Sequence, residues 1–151
     1  MNSKYEFHSR WEIVCSRDAL WDELEALLAS DDPMAWWGPV EVVDYDGSNL
    51  SVRAASHFGY RLAFQLKNLQ LSRPDTLTFD ADGDLRGTGV VTFTDGTDGR
   101  SSAMDIDWHV ATDRRWMRWT GWVLRPVFVA GHNVIMRQGE EHLNVWLGES
   151  R

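Results

Sequence analysis

The sequence predicts an α+β domain in which one long C-terminal helix covers the apolar face of an antiparallel sheet, and three observations predict it. From Leu124 onward, residues recur at steps of three and four through Val127, Phe128, Gly131, Val134, Ile135, Gln138, His142 and Trp146, a stripe longer than a surface helix requires. Between about 40 and 111 the chain instead reads as strands divided by Gly and Asp turns. Ahead of both, Tyr5, Phe7, Trp11 and Ile13 alternate with Glu6, His8, Arg10 and Glu12, the period of a strand with one buried face. A sheet closed by a long helix often encloses a cavity, so the pattern points to a container for an apolar molecule.

The elements follow in order. After the first strand Ser16 is placed to cap a helix whose inner face is Leu20, Leu24, Leu27 and Leu28, with Trp21 alongside. Ala19 stands where a capping box would have Glu, so the cap is partial. Asp31-Asp32-Pro33 stops that helix, because proline disfavours a helical residue before it. Trp36-Trp37-Gly38-Pro39 sets two bulky aromatics against two breakers, and on so short a turn one indole is expected to pack inward and the other to lie at a cavity rim. Strands are expected at 40–45, 50–56, 61–71, 76–79, 89–94 and 103–111. In the longest of these, Leu62, Phe64 and Leu66 share one parity and Leu69 and Leu71 the other, so a bulge near Lys67 and Asn68 is needed to return the apolar side to one face. Pro126 reads as a kink or break, with 116–123 forming an extra turn ahead of the main helix.

Composition bounds the function. At 151 residues the chain is one domain, long enough to bury a sizeable core. Nine Trp supply large apolar bodies whose indole N–H groups need partners when buried, which suits either a core or the wall of an organic-ligand pocket. A net charge of −8 opposes nucleic-acid binding and docking on anionic lipid. Arg114, Arg115 and Arg118, interleaved with Trp116 and Trp119, read as the solvated side of a helix start rather than as a phosphate surface. Cys15 stands alone, so neither an intramolecular disulfide nor a multi-cysteine metal site is expected. No stretch has the roughly 18 consecutive apolar residues of a membrane span, and the first residues lack a signal-peptide core, so a cytoplasmic protein without membrane insertion is expected. Asp80-Ala81-Asp82-Gly83-Asp84 fails as a calcium loop, with Gly at the fourth position and Val91 at the twelfth. No phosphate-binding Gly loop, zinc helix or serine nucleophile elbow occurs, and no metal or cofactor is expected.

The order of strand, short helix pair, six antiparallel strands and long helix, with Trp36-Trp37-Gly38-Pro39-Val40 ahead of the second strand, resembles the SRPBCC superfamily, also called the START or helix-grip fold. Trp108-His109-Val110, Trp116-Met117, Arg125-Pro126-Val127-Phe128, His132-Asn133 and Val134-Ile135-Met136-Arg137-Gln138-Gly139-Glu140-Glu141 carry the likeness at the back, in its polyketide cyclase/dehydrase and lipid-transport branch. The resemblance implies a curved seven-stranded antiparallel sheet with two short helices after the first strand, gripping the long helix around a deep apolar cavity. Members bind lipids, polyketides, steroids, hormones or quinones, and some cyclise or dehydrate polyketides while others only carry ligand. Fold alone therefore does not choose the function.

The cavity wall is expected to draw on Trp11, Trp36, Trp37, Phe58, Leu62, Phe64, Trp108, Trp119, Phe128 and His132. His132, beside Asn133 and at helical spacing from Phe128, is the candidate proton-handling residue, and Tyr60 either offers a hydroxyl to a ligand carbonyl or ends a hairpin. Asp105, Asp107 and His109 place carboxylates beside an imidazole, but the strand alternation turns them to solvent. Three readings stand: a carrier for a small hydrophobic molecule, a polyketide cyclase or dehydratase using the same cavity, and a protein-interaction module built on the Trp and Arg surface near Trp116.

Overall fold

The computed structural model describes residues 2–113 and 125–149. These form β1 (Asn2–Ile13), α1 (Arg17–Leu28), β2 (Val40–Tyr45), β3 (Leu50–Ala55), β4 (Arg61–Ser72), β5 (Thr76–Gly83), β6 (Leu85–Asp95), β7 (Ser102–Asp113) and α2 (Arg125–Glu149). The strands build one antiparallel sheet in the order β1-β7-β6-β5-β4-β3-β2, so every neighbour from β2 to β7 is also the next in sequence and only β1 is brought back beside the last strand. The extra turn expected at 116–123 and the Arg and Trp surface of Arg114, Arg115, Trp116, Arg118 and Trp119 lie outside the described residues.

Local chemistry sets the element ends. Ser16 Oγ accepts from Ala19 N at 3.2 Å, the N-cap of α1, worth about 1 kcal/mol. Leu20, Trp21 and Leu27 are its buried residues. A single short helix follows β1 here, not two. Pro33 and Pro39 bracket too few residues to nucleate a second, and the chain instead makes successive turns, with Ala35 N bonded to Asp32 O, Trp37 N to Met34 O and Val40 N to Trp37 O. The β4 bulge falls where the alternating leucines require it: pairing with β5 shifts between Lys67 and Gln70, and Asn68 takes a φ of 53°. Leu69 thereby reaches the interior, while Leu71, at the strand end, stays exposed.

Pro126 stands in the first turn of the described part of α2, and the extra turn expected at 116–123 lies outside the described residues. The buried stripe of α2 differs from the expected one. Beyond Phe128 and Gly131 it passes through Met136, Gly139, Leu143 and Leu147, one position on from Ile135, Gln138, His142 and Trp146 and so about 100° around the helix. Gly139 explains the turn: a Cβ there would lie 2.6 Å from the Trp11 ring and 2.9 Å from Trp37. The helix thus approaches two indoles at a point where hydrophobicity alone registers nothing.

α2 also runs along the free edge of β1. Arg125 Nη1 donates to Lys4 O at 3.0 Å near one end, and at the other Glu12 N donates to Glu140 Oε2 at 2.7 Å while Asn144 Nδ2 donates to Glu12 O at 2.8 Å. Val14 N donates to Asn144 Oδ1 at 2.9 Å just beyond the strand. Side chains of the helix therefore satisfy backbone groups that no neighbouring strand reaches.

Candidate functional site

Between the sheet and α2 lies a cavity of about 200 Å³ whose wall is almost wholly carbon. It takes residues from both parts of the core, the one around Trp11, Phe93 and Met104 and the one around Tyr60, Leu62 and Phe128. Among the described residues, no Asp, Glu, Lys or Arg side chain lines it.

Strand register builds its floor. Phe7 pairs with Trp108, Trp108 with Gly89 and Gly89 with Phe79, so these four residues form one row across β1, β7, β6 and β5. Gly89 is the gap in the row. With no side chain between them, Phe79 and Trp108 meet edge to face at 5.0 Å and 70°. A Cβ at position 89 would stand 2.3 Å from the Phe79 ring. Gly89→Val is therefore expected to drive Phe79 off its place over the sheet, destabilising the protein by about 1–3 kcal/mol as overpacking does and weakening uptake of any cavity ligand. Denaturant unfolding and ligand titration of the variant check this, and wild-type values in both would show that the ring has somewhere else to go.

The Trp36–Trp37 turn forms one end of the cavity. The two indoles do not diverge as expected; they stack at 5.1 Å and 16°, both line the cavity, and both stand edge-on to Trp11, at 6.0 and 5.6 Å. Adjacent residues in a turn project apart, but the length of each indole lets side-chain torsions close the gap. The N–H groups hold them there, Trp36 Nε1 donating to Pro33 O at 3.1 Å and Trp37 Nε1 to Ile135 O on α2 at 3.2 Å. Gly38 N donates to His142 Nδ1 at 3.1 Å, a second tie from this turn to the helix.

His132 also lines the cavity, its imidazole stacked on Phe7 at 3.8 Å and 13°. Both ring nitrogens are buried, and the Asn133 side chain is the polar group that bears on them. Burial pulls the imidazole pKa down to about 4, against a smaller opposing effect of the Asn133 side chain, so the ring is neutral near pH 7. Tyr60 is buried at the hairpin end and lines the cavity as well, but its hydroxyl donates to Phe128 O at 3.3 Å, and burial pushes its pKa up. That hydroxyl lies over Gly131, where a Cβ would come within 2.2 Å of it.

Of the other expected wall residues, Leu62 and Phe64 line the cavity. Phe58 does not: it sits in the β3–β4 hairpin with 49% of its surface exposed, because its turn lies beyond the end of the paired strands. Trp119 lies outside the described residues. Asp105, Asp107 and His109 occupy the outer face of β7, where Asp107 pairs with His8 at 2.7 Å, Asp105 with Arg10 at 2.9 Å and His109 with Glu6 at 3.7 Å. The sequence reading missed Phe7, Phe79 and Met136 as wall residues, and only the cross-strand register and the rotation of α2 bring them to it.

No protein-family model matches the sequence, and no curated protein matches it. Solved structures do match in fold. A START superfamily protein from Mycobacterium smegmatis superposes with a TM-score of 0.64 at 10% identity, over 97% of this chain and 99% of that one. An aromatase/cyclase from a Streptomyces species gives 0.63 at 12% identity, over 97% and 93%. Norcoclaurine synthase from Thalictrum flavum, solved in complex with dopamine and hydroxybenzaldehyde, gives 0.62 at 10% identity, over 99% and 90%. The chain thus shares their fold, the helix-grip arrangement of a seven-stranded antiparallel sheet and a long C-terminal helix. Among the described residues no helix is long and apolar enough to cross a membrane.

Proposed function

We propose that this protein binds a small hydrophobic molecule, without transforming it, in the cavity between the sheet and α2. The observation that carries the reading is the cavity itself: about 200 Å³ of space walled by carbon and aromatic rings. An apolar cavity of roughly 150 Å³ already accepts benzene, so one or two rings is the matching scale. The alternative, a cyclase or dehydratase, draws on His132 and Tyr60 in the wall and on the aromatase/cyclase of like fold. Against it, an imidazole with a pKa of about 4 is a weak base, and general-base catalysis favours a pKa near the working pH. The Tyr60 hydroxyl is already engaged by the Phe128 carbonyl.

Naphthalene is the test ligand. It is expected to bind saturably, to quench Trp emission and to raise the unfolding temperature, since a ligand at 100 times its Kd adds about 2.7 kcal/mol to stability. Mass spectrometry of the protein under native conditions, purified from its own host, is expected to retain a small molecule. Binding that appears only once denaturant is added would count against a preformed site. Turnover of a polyketide panel that falls at least about 100-fold in His132→Gln would establish the enzyme reading instead.

A further inference from the structure

The polar atoms carried by the cavity wall are turned away from the space or already engaged. Trp36 Nε1 and Trp37 Nε1 donate to the carbonyls of Pro33 and Ile135. The Tyr60 hydroxyl donates to Phe128 O at 3.3 Å and is hydrogen-bonded to the Ser56 side chain as well. The nitrogens of Trp11, Trp108 and His132 are covered, which leaves ring carbon as the surface that these three side chains present to the cavity. Strand residues such as Val52, Leu66 and Ile106 add aliphatic side chains, and their backbones lie in strands paired on both sides within the sheet. Among the described lining side chains, the groups still able to accept a hydrogen bond from a ligand are the thioethers of Met34, Met104 and Met136, and a thioether accepts only weakly.

A ligand group that hydrogen-bonds to water therefore gives up those bonds on entry and meets no replacement among the described residues. Such an exchange costs most when the receiving medium cannot hydrogen-bond, as cyclohexane cannot, and much less in octanol, which can. A carboxylate or ammonium fares worse still, because no side chain of opposite charge lines the described wall. The penalty does not depend on how the ligand is turned: carbon faces it at the Trp36–Trp37 end, along the row through Phe7, Trp108 and Phe79, and on the Phe128 side of α2. Resting on the reading proposed above, we infer that the occupant is a hydrocarbon without hydroxyl, carbonyl or ring nitrogen, and that the site rejects the oxygenated form of the same ring skeleton. Selectivity here comes from what the wall withholds.

Two matched pairs of ligands test this on the unaltered protein: 2-methylnaphthalene against 2-naphthol, and naphthalene against neutral quinoline. The members of each pair are nearly equal in size and shape, so the volume of the cavity does not separate them. In each pair the polar member is expected to bind at least about 30-fold more weakly, and the order of the four affinities is expected to follow partition from water into cyclohexane rather than into octanol. A smaller loss in either pair, or an order that follows octanol, would reveal a hydrogen-bonding partner within reach of the ligand and overturn the inference while leaving an apolar binding site in place. If neither hydrocarbon binds, the proposed function itself falls, and this inference falls with it.

Discussion

Phe128→Ala is expected to destabilise the protein by about 3–5 kcal/mol, the range for emptying a buried phenylalanine site. Phe128 is only 2% exposed, packs on Tyr5 at 4.5 Å between ring centroids, and borders the cavity from α2. Its loss merges the space it fills with the existing cavity. The variant is therefore expected to accept a three-ring hydrocarbon that the wild type excludes, and to recover part of its stability when that ligand is bound. Denaturant unfolding with and without anthracene measures both effects. A loss below about 1 kcal/mol would mean that the aromatic cluster closes over the gap, and the site would then be far softer than its packing indicates.

The second large effect concerns acid. Because burial lowers the His132 pKa from 6.5 to about 4, the unfolded chain binds a proton between those values that the folded protein refuses. Stability is therefore lost as pH falls from about 6.5 to 4, by about 3 kcal/mol in all, and this contribution changes no further below 4. Asp46, Asp82 and Asp98, whose carboxylates are held below their ordinary pKa chiefly by backbone N–H groups at Asp46 and Asp98 and by Lys67 at Asp82, lose their stabilising charge at lower pH still. His132→Leu removes the histidine contribution alone. The difference between wild type and variant, measured by urea unfolding from pH 7 to 4, is expected to grow by about 3 kcal/mol across that window. Parallel pH profiles would show that the imidazole finds water or a partner on protonation.

The fold was legible because its two periods are cleanly written. Alternation in Tyr5, Phe7, Trp11 and Ile13 and the steps of three and four along α2 each follow from the geometry of a single element. Strand lengths were harder. Asp80-Ala81-Asp82-Gly83 reads as a solvated turn, yet it continues β5, because Asp80 accepts from Asn68 Nδ2 at 2.8 Å and Asp82 pairs with Lys67 at 3.2 Å across to β4. A charge partner on the next strand makes an acidic strand stable, and that partner is invisible until register is known.

The site was legible in its residue types and not in its arrangement. Trp11, Trp36, Trp37, Trp108, Phe128 and His132 all reach the cavity, as large aromatics and a helix histidine near them do. What no single element encodes is the Phe7-Trp108-Gly89-Phe79 row, which needs four strands in register, or the entry of two indoles against Gly139. Glycines say where side chains from elsewhere go, so their meaning is read only from their neighbours.

The helix side chains that satisfy the outer edge of β1 bear on how this molecule behaves in a crowd of its own copies. Seven strands in an open sheet leave two borders, and Arg125, Glu140 and Asn144 occupy one of them at both ends. The other border, β2, is six residues long, has a break in its pairing between Val42 and Asp44, and bears Glu41, Asp44 and Asp46 in or beside it. Two such β2 borders brought together would set carboxylates against carboxylates on an irregular backbone, while an incoming strand at β1 would have to displace the helix side chains at both of its ends. Growth of the sheet from one molecule into the next is thus opposed at β2 by charge and shape and at the ends of β1 by those side chains.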